Sequence, residues 1–111
     1  ASDVYKRQAL AKRYIDSNYS QNITLDSLAE ITHINKFYLA HSFTECVGQS
    51  PINYLTDRRL EACKGLLVSS NLSVAQVATS VGFSSQSYFS QIFRKKTGMT
   101  PRQYRSRYAR K

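Results

Sequence analysis

Residues 82–93, GFSSQSYFSQIF, combine aromatic side chains at helical spacing with an unusual set of uncharged polar side chains. If this segment is a helix, Phe89, Ile92 and Phe93 share one face, because side chains three and four positions apart point the same way. The opposite face then carries only carboxamide and hydroxyl groups, from Gln86, Ser87, Ser90 and Gln91. A solvated helix face is usually rich in Lys and Glu, so this composition predicts a surface that offers hydrogen bonds to a partner.

The groups on this predicted surface match the edges of DNA bases. A glutamine carboxamide donates and accepts together and can bind adenine through two hydrogen bonds, whereas the Arg94 guanidinium can bind guanine. The short serine side chains would let the helix backbone approach the bases closely. Helical register therefore predicts a reading surface made of Gln86, Ser87, Ser90, Gln91 and Arg94. The same register places Tyr88 on the inward face.

Charge is distributed unevenly along the chain and favours a polyanionic partner. The 111 residues carry a net charge of +9. Residues 1–61 contain seven acids and seven bases, whereas residues 62–111 contain nine bases and no acid. A field of one sign attracts nucleic acid or a membrane surface without choosing between them. No apolar run approaches the ~20 residues that span a bilayer, so no membrane-spanning helix is predicted. No membrane partner is predicted either.

No pattern in the sequence is typical of an enzyme. Paired carboxylates, a nucleophile turn and a glycine-rich phosphate loop are all missing, so no catalytic residue and no cofactor are predicted. Cys46 and Cys63 lack metal-ligand spacing and are interpreted as two reduced core thiols of a cytosolic protein. His41 is interpreted as a donor to DNA rather than a metal ligand, and His33 as a turn residue. No metal site is predicted.

The chain as a whole has the pattern of an all-α protein. Apolar residues recur at intervals of three and four, proline and glycine are few, and no alternating strand pattern occurs. Cap residues such as Thr24, Asn35, Ser73 and Ser85 precede apolar stripes, and Gly48 follows one. These signals predict about seven helices, the first over about 4–18 and the longest over about 51–69.

An internal repeat organises these helices. At an offset of 50 the chain pairs Tyr38 with Tyr88, Phe43 with Phe93, Gly48 with Gly98, Pro51 with Pro101 and Tyr54 with Tyr104. Upstream the offset becomes 49, which indicates one extra turn residue near Ser84 in the second copy. The repeat predicts one domain over residues 1–111, with subdomain one at about 4–50, a linker helix at about 51–69 and subdomain two at about 73–108.

Each copy contains a short helix, a tight turn and a second helix, which is the plan of a helix-turn-helix unit whose second helix enters the major groove. Gly82 stands at the turn of the second copy and His33 at the turn of the first. Register predicts that the first copy presents Lys36, Phe37, Ala40, His41 and Thr44. Phe37 is left with two readings, contact with a thymine methyl group or packing against the first helix.

The sequence resembles the DNA-binding domain of the AraC/XylS family of bacterial transcription regulators, over about residues 23–108. The most specific part is VAQVATSVGFSSQSYFSQIFRKKTGMTPRQYR, residues 74–105. There the family pattern GFxxxSYFxxxFKxxxGxSPxxYR is met almost throughout, with Arg94 in place of the usual Lys and Thr100 in place of the usual Ser. The resemblance implies a seven-helix domain whose two recognition helices enter successive major-groove segments.

The resemblance also implies which residues contact DNA. The family's base-contacting positions fall on Phe37, Ala40 and His41 in the first copy and on Gln86, Ser87, Tyr88 and Gln91 in the second. Register and resemblance therefore disagree on Tyr88. Together they predict base reading by Lys36, Phe37, Ala40, His41, Gln86, Ser87, Tyr88, Ser90, Gln91 and Arg94. The phosphate contacts predicted beside them are Asn35, Thr44, Ser85, Lys95, Lys96, Arg102 and Arg105.

Family membership would make double-stranded DNA the main partner and sequence-specific transcriptional control the function. It implies a location in the bacterial cytoplasm on the nucleoid, contact with RNA polymerase, and for many members a sensor and dimerisation domain in a longer chain. The alternative is a helical protein-interaction module without sequence-specific DNA binding. An RNA-binding domain is a third reading, although the aromatic stacking platforms of common RNA modules are missing.

Overall fold

The computed structural model describes the backbone of residues 2–109 and the side chains of residues 6–109. Within that range the chain forms seven α-helices, and the predicted all-α fold is confirmed. They are α1 (Ser2–Asn18), α2 (Leu25–Thr32), α3 (Lys36–Val47), α4 (Pro51–Ser69), α5 (Val74–Ser80), α6 (Gln86–Thr97) and α7 (Pro101–Tyr108).

The chain divides into two compact units, Ala1–Arg58 and Arg59–Lys111, and the division falls inside the continuous helix α4. Leu55, in the first half of α4, belongs to the core of the first unit. Leu60, Cys63 and Leu67, in the second half, are buried as well. The wide apolar stripe of this helix thus supplies buried side chains on either side of the division.

Helices α1, α2 and α3 form the core of the first unit around the fully buried Phe43. The Phe43 ring meets the Tyr54 ring edge-on, with centroids 5.8 Å apart. The Tyr54 hydroxyl donates to Asp16 Oδ1 at 2.6 Å, and burial together with this hydrogen bond raises the pKa of Tyr54 to about 12. Arg58 Nε lies 3.1 Å from the same carboxylate oxygen, so the start of α4 is tied to α1.

A chain of aromatic rings holds the second unit together. Phe83 in the turn before α6 packs on Phe89 at a centroid distance of 5.1 Å, and Phe89 packs on Phe93 at 5.7 Å. Phe93 in turn meets Tyr104 of α7 edge-on at 5.5 Å. Phe89 and Phe93 are fully buried, as register predicts, so one face of α6 is committed to the core.

The two helix-turn-helix units repeat each other in their local geometry. The turn residue His33 has φ 58° and Gly82 has φ 107°, so both copies use the left-handed region that glycine adopts without strain. Thr24 and Ser73 cap α2 and α5 through reciprocal capping boxes, which satisfy backbone N–H groups at each helix start. The predicted duplication is therefore visible in caps and turns as well as in the core.

Candidate nucleic-acid interface

Helix α6 presents an open polar face opposite its buried aromatic face. The helix begins after Ser85, whose Oγ accepts a hydrogen bond from the backbone N–H of Tyr88 at 3.2 Å. Because Phe89 and Phe93 fix the inward direction, the outward face consists of exposed side chains, namely Gln86, Ser87, Gln91 and Arg94. None of these four side chains forms a hydrogen bond or ion pair with any residue that the structure describes. Their donors and acceptors are available to a partner.

Two residues of α6 lie elsewhere than register predicts. Tyr88, predicted inward, is 51% exposed, because the buried Phe83 and Phe89 fill the interior and leave its ring at the edge of the core, 6.2 Å from the Phe83 ring. Ser90, predicted outward, is half-buried, since it lies only three positions before Phe93 at the border between the two faces. The exposure of Tyr88 agrees with the family resemblance and contradicts the register.

Helix α3 is capped by Asn35, whose Oδ1 accepts from the backbone N–H groups of Phe37 at 2.9 Å and Tyr38 at 3.4 Å. Leu39 and Phe43 point into the core, and Phe37 points outward with 73% of its surface exposed. That exposure removes the reading in which Phe37 packs against the first helix. Lys36 Nζ lies 5.3 Å from the centre of the Phe37 ring.

The polar side chains around Phe37 are engaged within the protein, unlike those of α6. Lys36 Nζ is 3.3 Å from Asp26 Oδ1, and His41 Nε2 is 3.0 Å from Glu45 Oε1. The Thr44 hydroxyl donates to the carbonyl oxygen of Ala40 at 2.7 Å, one turn back along the helix. Ala40 itself is half-buried. The outward face of α3 is therefore more apolar in character than that of α6.

The predicted phosphate contacts of the second unit separate into two groups. Lys95, Lys96 and Arg102 are exposed. Arg105 is half-buried, and its Nε donates to the carbonyl oxygen of Leu67 at 2.9 Å while Nη2 donates to that of Ser70 at 3.5 Å. These carbonyls lie at the end of α4, where they have no partner within the helix. The assignment of Arg105 to a phosphate is therefore corrected, because its guanidinium is used to join α7 to α4.

Two further predicted phosphate contacts, Asn35 and Ser85, lie at the N-termini of α3 and α6, which are equivalent positions in the two units. Each side-chain oxygen accepts from the backbone of its own helix. The Asn35 amide and the Ser85 hydroxyl hydrogen are left as donors, which is the chemistry that a phosphate oxygen requires. Tyr38, which is not among the predicted DNA contacts, is 54% exposed on α3. It pairs with Tyr88 in the repeat.

The cysteines are not a matched pair of core thiols. Cys63 is buried, as predicted, and burial raises the pKa of its thiol to about 12. Cys46 is exposed, so its interpretation as a core thiol is wrong. It lies three residues after the inward Phe43 and two after the outward Thr44, on the outer part of α3.

Among the side chains of residues 6–109, no three from His, Cys, Asp or Glu come together in a way that could hold a metal ion. Among the helices described, none has the length and apolar content needed to cross a membrane.

Comparison with known proteins places the chain among transcription regulators. A family model described as a helix-turn-helix domain matches residues 28–107. The Bacillus subtilis protein YobQ, an uncharacterized HTH-type transcriptional regulator, is 40% identical over 93 residues, which are 84% of this chain and 39% of YobQ. The bifunctional transcriptional activator/DNA repair enzyme AdaA of the same organism is 34% identical over 86% of this chain and 46% of its own length. The chain thus spans less than half the length of these two relatives.

Solved structures share the fold over nearly the whole chain. The C-terminal domain of AraT, a response regulator from Geobacillus stearothermophilus, superposes with a TM-score of 0.91 at 35% identity, covering 95% of this chain and 88% of that one. A probable AraC family transcriptional regulator from Rhodopseudomonas palustris gives a TM-score of 0.84 at 25% identity, covering 95% and 99%. The DNA-binding domain of AdpA, solved in complex with a target DNA, gives 0.87 at 25% identity, covering 91% of each chain.

Proposed function

Since the chain belongs to the AraC family of transcription regulators, as a DNA-binding domain of the helix-turn-helix type, we propose that α3 and α6 read duplex DNA in successive major-groove segments. The observation that carries this proposal is the outward face of α6, where Gln86, Ser87, Gln91 and Arg94 are exposed and make no side-chain hydrogen bond to the described residues. Membership of this family assigns the domain a regulatory role rather than a catalytic one.

Base reading in the second half-site is assigned to the open face of α6. Gln91 lies one turn after Ser87, so its carboxamide is central on that face and can form two hydrogen bonds with adenine. Gln86 and Ser87 contact neighbouring base edges, and Arg94 contacts a guanine or a phosphate at the edge of the site. Ser90 takes a smaller part because it is half-buried.

In the first half-site we assign base contact to Phe37 and His41, with Lys36 and Ala40 beside them. Backbone positioning is assigned separately, because phosphate contacts orient a protein on the duplex without carrying sequence information. The phosphate set comprises Asn35, Thr44, Ser85, Lys95, Lys96 and Arg102.

The place of the protein in the cell is proposed from its relatives. The two curated relatives come from a bacterium and are named as regulators, and one similar structure is the C-terminal domain of a response regulator. We therefore place the protein on the nucleoid in the bacterial cytoplasm, where it would act on transcription through contact with RNA polymerase. Sensing and dimerisation would be supplied by another domain of a longer chain.

Selection of bound duplexes from a random pool tests the proposal. A DNA reader enriches one sequence with two conserved segments, and the enriched duplex competes far better than random duplex in a gel shift. A helical protein-interaction module would enrich nothing. If single-stranded RNA is shifted in the gel as well as random duplex DNA or better, the RNA-binding reading is favoured instead.

A further inference from the structure

We infer that α3 recognises thymine in its half-site through the C5-methyl group, which packs against the exposed ring of Phe37. One half of the DNA site is then read mainly by apolar contact, and the other half by hydrogen bonds to α6. The inference rests on the proposed function and adds the base chemistry that the first recognition helix selects.

The first observation is the placement of Phe37. Its backbone N–H is held by Asn35 Oδ1 at 2.9 Å, so the residue is fixed in the first turn of α3. Its side chain is nevertheless 73% exposed, whereas its repeat partner in α6 is the small polar residue Ser87. A single exposed apolar residue is ordinary on a protein surface, so exposure alone does not identify its contact.

The second observation concerns the residues that share a face with Phe37. Ala40, three positions on, offers only a methyl group. His41, four positions on, has Nε2 engaged with Glu45 at 3.0 Å, and the Thr44 hydroxyl is engaged with the Ala40 carbonyl at 2.7 Å. The corresponding face of α6 keeps its carboxamides and hydroxyls available. The face of α3 around Phe37 therefore has fewer free hydrogen-bonding groups than the corresponding face of α6.

Lys36 reinforces this arrangement. Its ammonium lies 5.3 Å from the ring centre of Phe37 and 3.3 Å from Asp26 Oδ1. Both contacts are at the surface, where an ion pair contributes little and a cation–π contact contributes a modest attraction, so they favour the observed placement of the ring without fixing it.

Thymine is the base that such a surface distinguishes. In the major groove it presents a C5-methyl group that the other three standard bases lack. Deoxyuridine has the same hydrogen-bonding groups as thymidine and differs by that methyl group alone. Replacing thymidine with deoxyuridine therefore removes the proposed contact without changing any hydrogen bond that a polar side chain could make.

The test uses the duplex recovered by selection with this chain, in which each thymidine is replaced singly by deoxyuridine. The half-site read by α6 is first identified as the one whose base preference relaxes in Gln91→Ala. In the other half-site, one or two replacements should weaken binding about fourfold, as expected for one buried methyl group. Replacements in the α6 half-site should change affinity less than twofold.

Two variants show whether Phe37 makes the contact. Phe37→Ala should bind the thymidine and deoxyuridine duplexes equally, at the reduced affinity of the wild type for deoxyuridine or below it. Phe37→Leu keeps an apolar side chain and should retain part of the preference for thymidine. Because Phe37 is exposed, neither variant creates a core cavity, and circular dichroism should show unchanged helix content.

The outcomes separate this inference from the proposed function. If a sequence is enriched but every deoxyuridine duplex binds like its thymidine parent, DNA reading stands and methyl recognition is wrong. Methyl recognition by Phe37 is also wrong if Phe37→Ala discriminates thymidine from deoxyuridine as well as the wild type does. If no sequence is enriched, the proposed function fails and the inference fails with it.

Discussion

Tyr38 and Tyr88 occupy the same position in the two copies of the repeat, and both are about half exposed, at 54% and 51%. Each is the third residue of its recognition helix, directly before the buried Leu39 or Phe89. Burial does not explain why tyrosine stands at both positions. A phosphate backbone repeats along DNA whereas the bases of two half-sites differ, so identical residues suit a backbone contact better than a base contact.

Removal of the tyrosine hydroxyls tests this relationship. Tyr38→Phe and Tyr88→Phe should each weaken binding by about 1.5–3 kcal/mol, the range for a hydrogen bond to a charged group such as a phosphate. The loss should be similar for all sequences, and the salt dependence should not change, because a neutral donor releases no counterions. Titrations of the selected duplex and of random duplex at several salt concentrations measure both quantities. A changed base preference in Tyr88→Phe would instead support the base contact that the family resemblance implies.

Gln91→Ala should alter specificity and leave non-specific binding intact. We expect a cost of about 1–3 kcal/mol on the selected duplex, with relaxed preference at one or two base pairs, because a bidentate contact is lost. Affinity for random duplex should stay the same. Site selection repeated with the variant measures the preference at each position. The reading-surface hypothesis would be falsified if Gln86, Ser87 and Gln91 could each become Ala with the wild-type base preferences intact.

Arg94→Ala should weaken binding to every duplex and lower the salt slope by about one unit, provided that the guanidinium contacts a phosphate. Lys64→Ala is a matched control, since it removes the same charge from the second unit, but Lys64 Nζ is already paired with Glu61 Oε1 at 3.0 Å. The control should leave the slope nearly unchanged. Equal slopes for both variants would mean that Arg94 acts only through net charge.

Removal of Arg105 should lower the stability of the protein, whereas removal of Arg102 should weaken its binding to DNA. Arg105→Ala should lower the free energy of unfolding by about 1.5–3 kcal/mol, the range for hydrogen bonds that involve a charged group, because the carbonyls of Leu67 and Ser70 lose their partner. Arg102 is exposed, so Arg102→Ala should leave stability unchanged and weaken DNA binding of all sequences alike. Urea unfolding and gel shift, run on both variants, measure the two effects. The structural role assigned to Arg105 would be wrong if its variant unfolded like the wild type.

Phe43→Ala and Phe93→Ala should each cost about 3–5 kcal/mol of stability, because both rings are fully buried and each loss leaves a cavity. Phe37→Ala serves as the comparison, since it removes the same ring from an exposed site. Thermal unfolding followed by circular dichroism gives the shift in midpoint. Wild-type stability in either core variant would contradict the packing described for that unit.

The two thiols should react at very different rates. A raised thiol pKa lowers the fraction of thiolate at any pH below it, and thiolate is the reactive form. With the pKa of Cys63 at about 12, this residue should resist iodoacetamide at pH 8 in the folded protein, whereas the exposed Cys46 should be alkylated. Mass spectrometry before and after unfolding in urea counts the labelled sites. Labelling of Cys63 in the folded state would show that the packing around this residue of α4 opens under native conditions.

The helices and the repeat could be predicted from the sequence because their signals are local. Caps such as Thr24 and Ser73 satisfy backbone groups within three residues, and apolar spacing reports one helix face without knowledge of its neighbour. The turn positions of His33 and Gly82 follow from the same local pattern, and the structure shows that both residues have positive φ. The open face of α6 could be predicted as well, because Phe89 and Phe93 share the apolar face of the helix and Gln91 therefore lies on the opposite face.

Tertiary structure decided the residues at the borders of those faces. Tyr88 lies outside because other rings already fill the interior, and Phe37 points outward rather than against α1. Arg105 is half-buried because its guanidinium donates to the carbonyls of Leu67 and Ser70 at the end of α4, whereas Cys46 is exposed on the outer part of α3. Helical register gives only an angle around the helix axis, whereas burial depends on which other elements are packed at that angle.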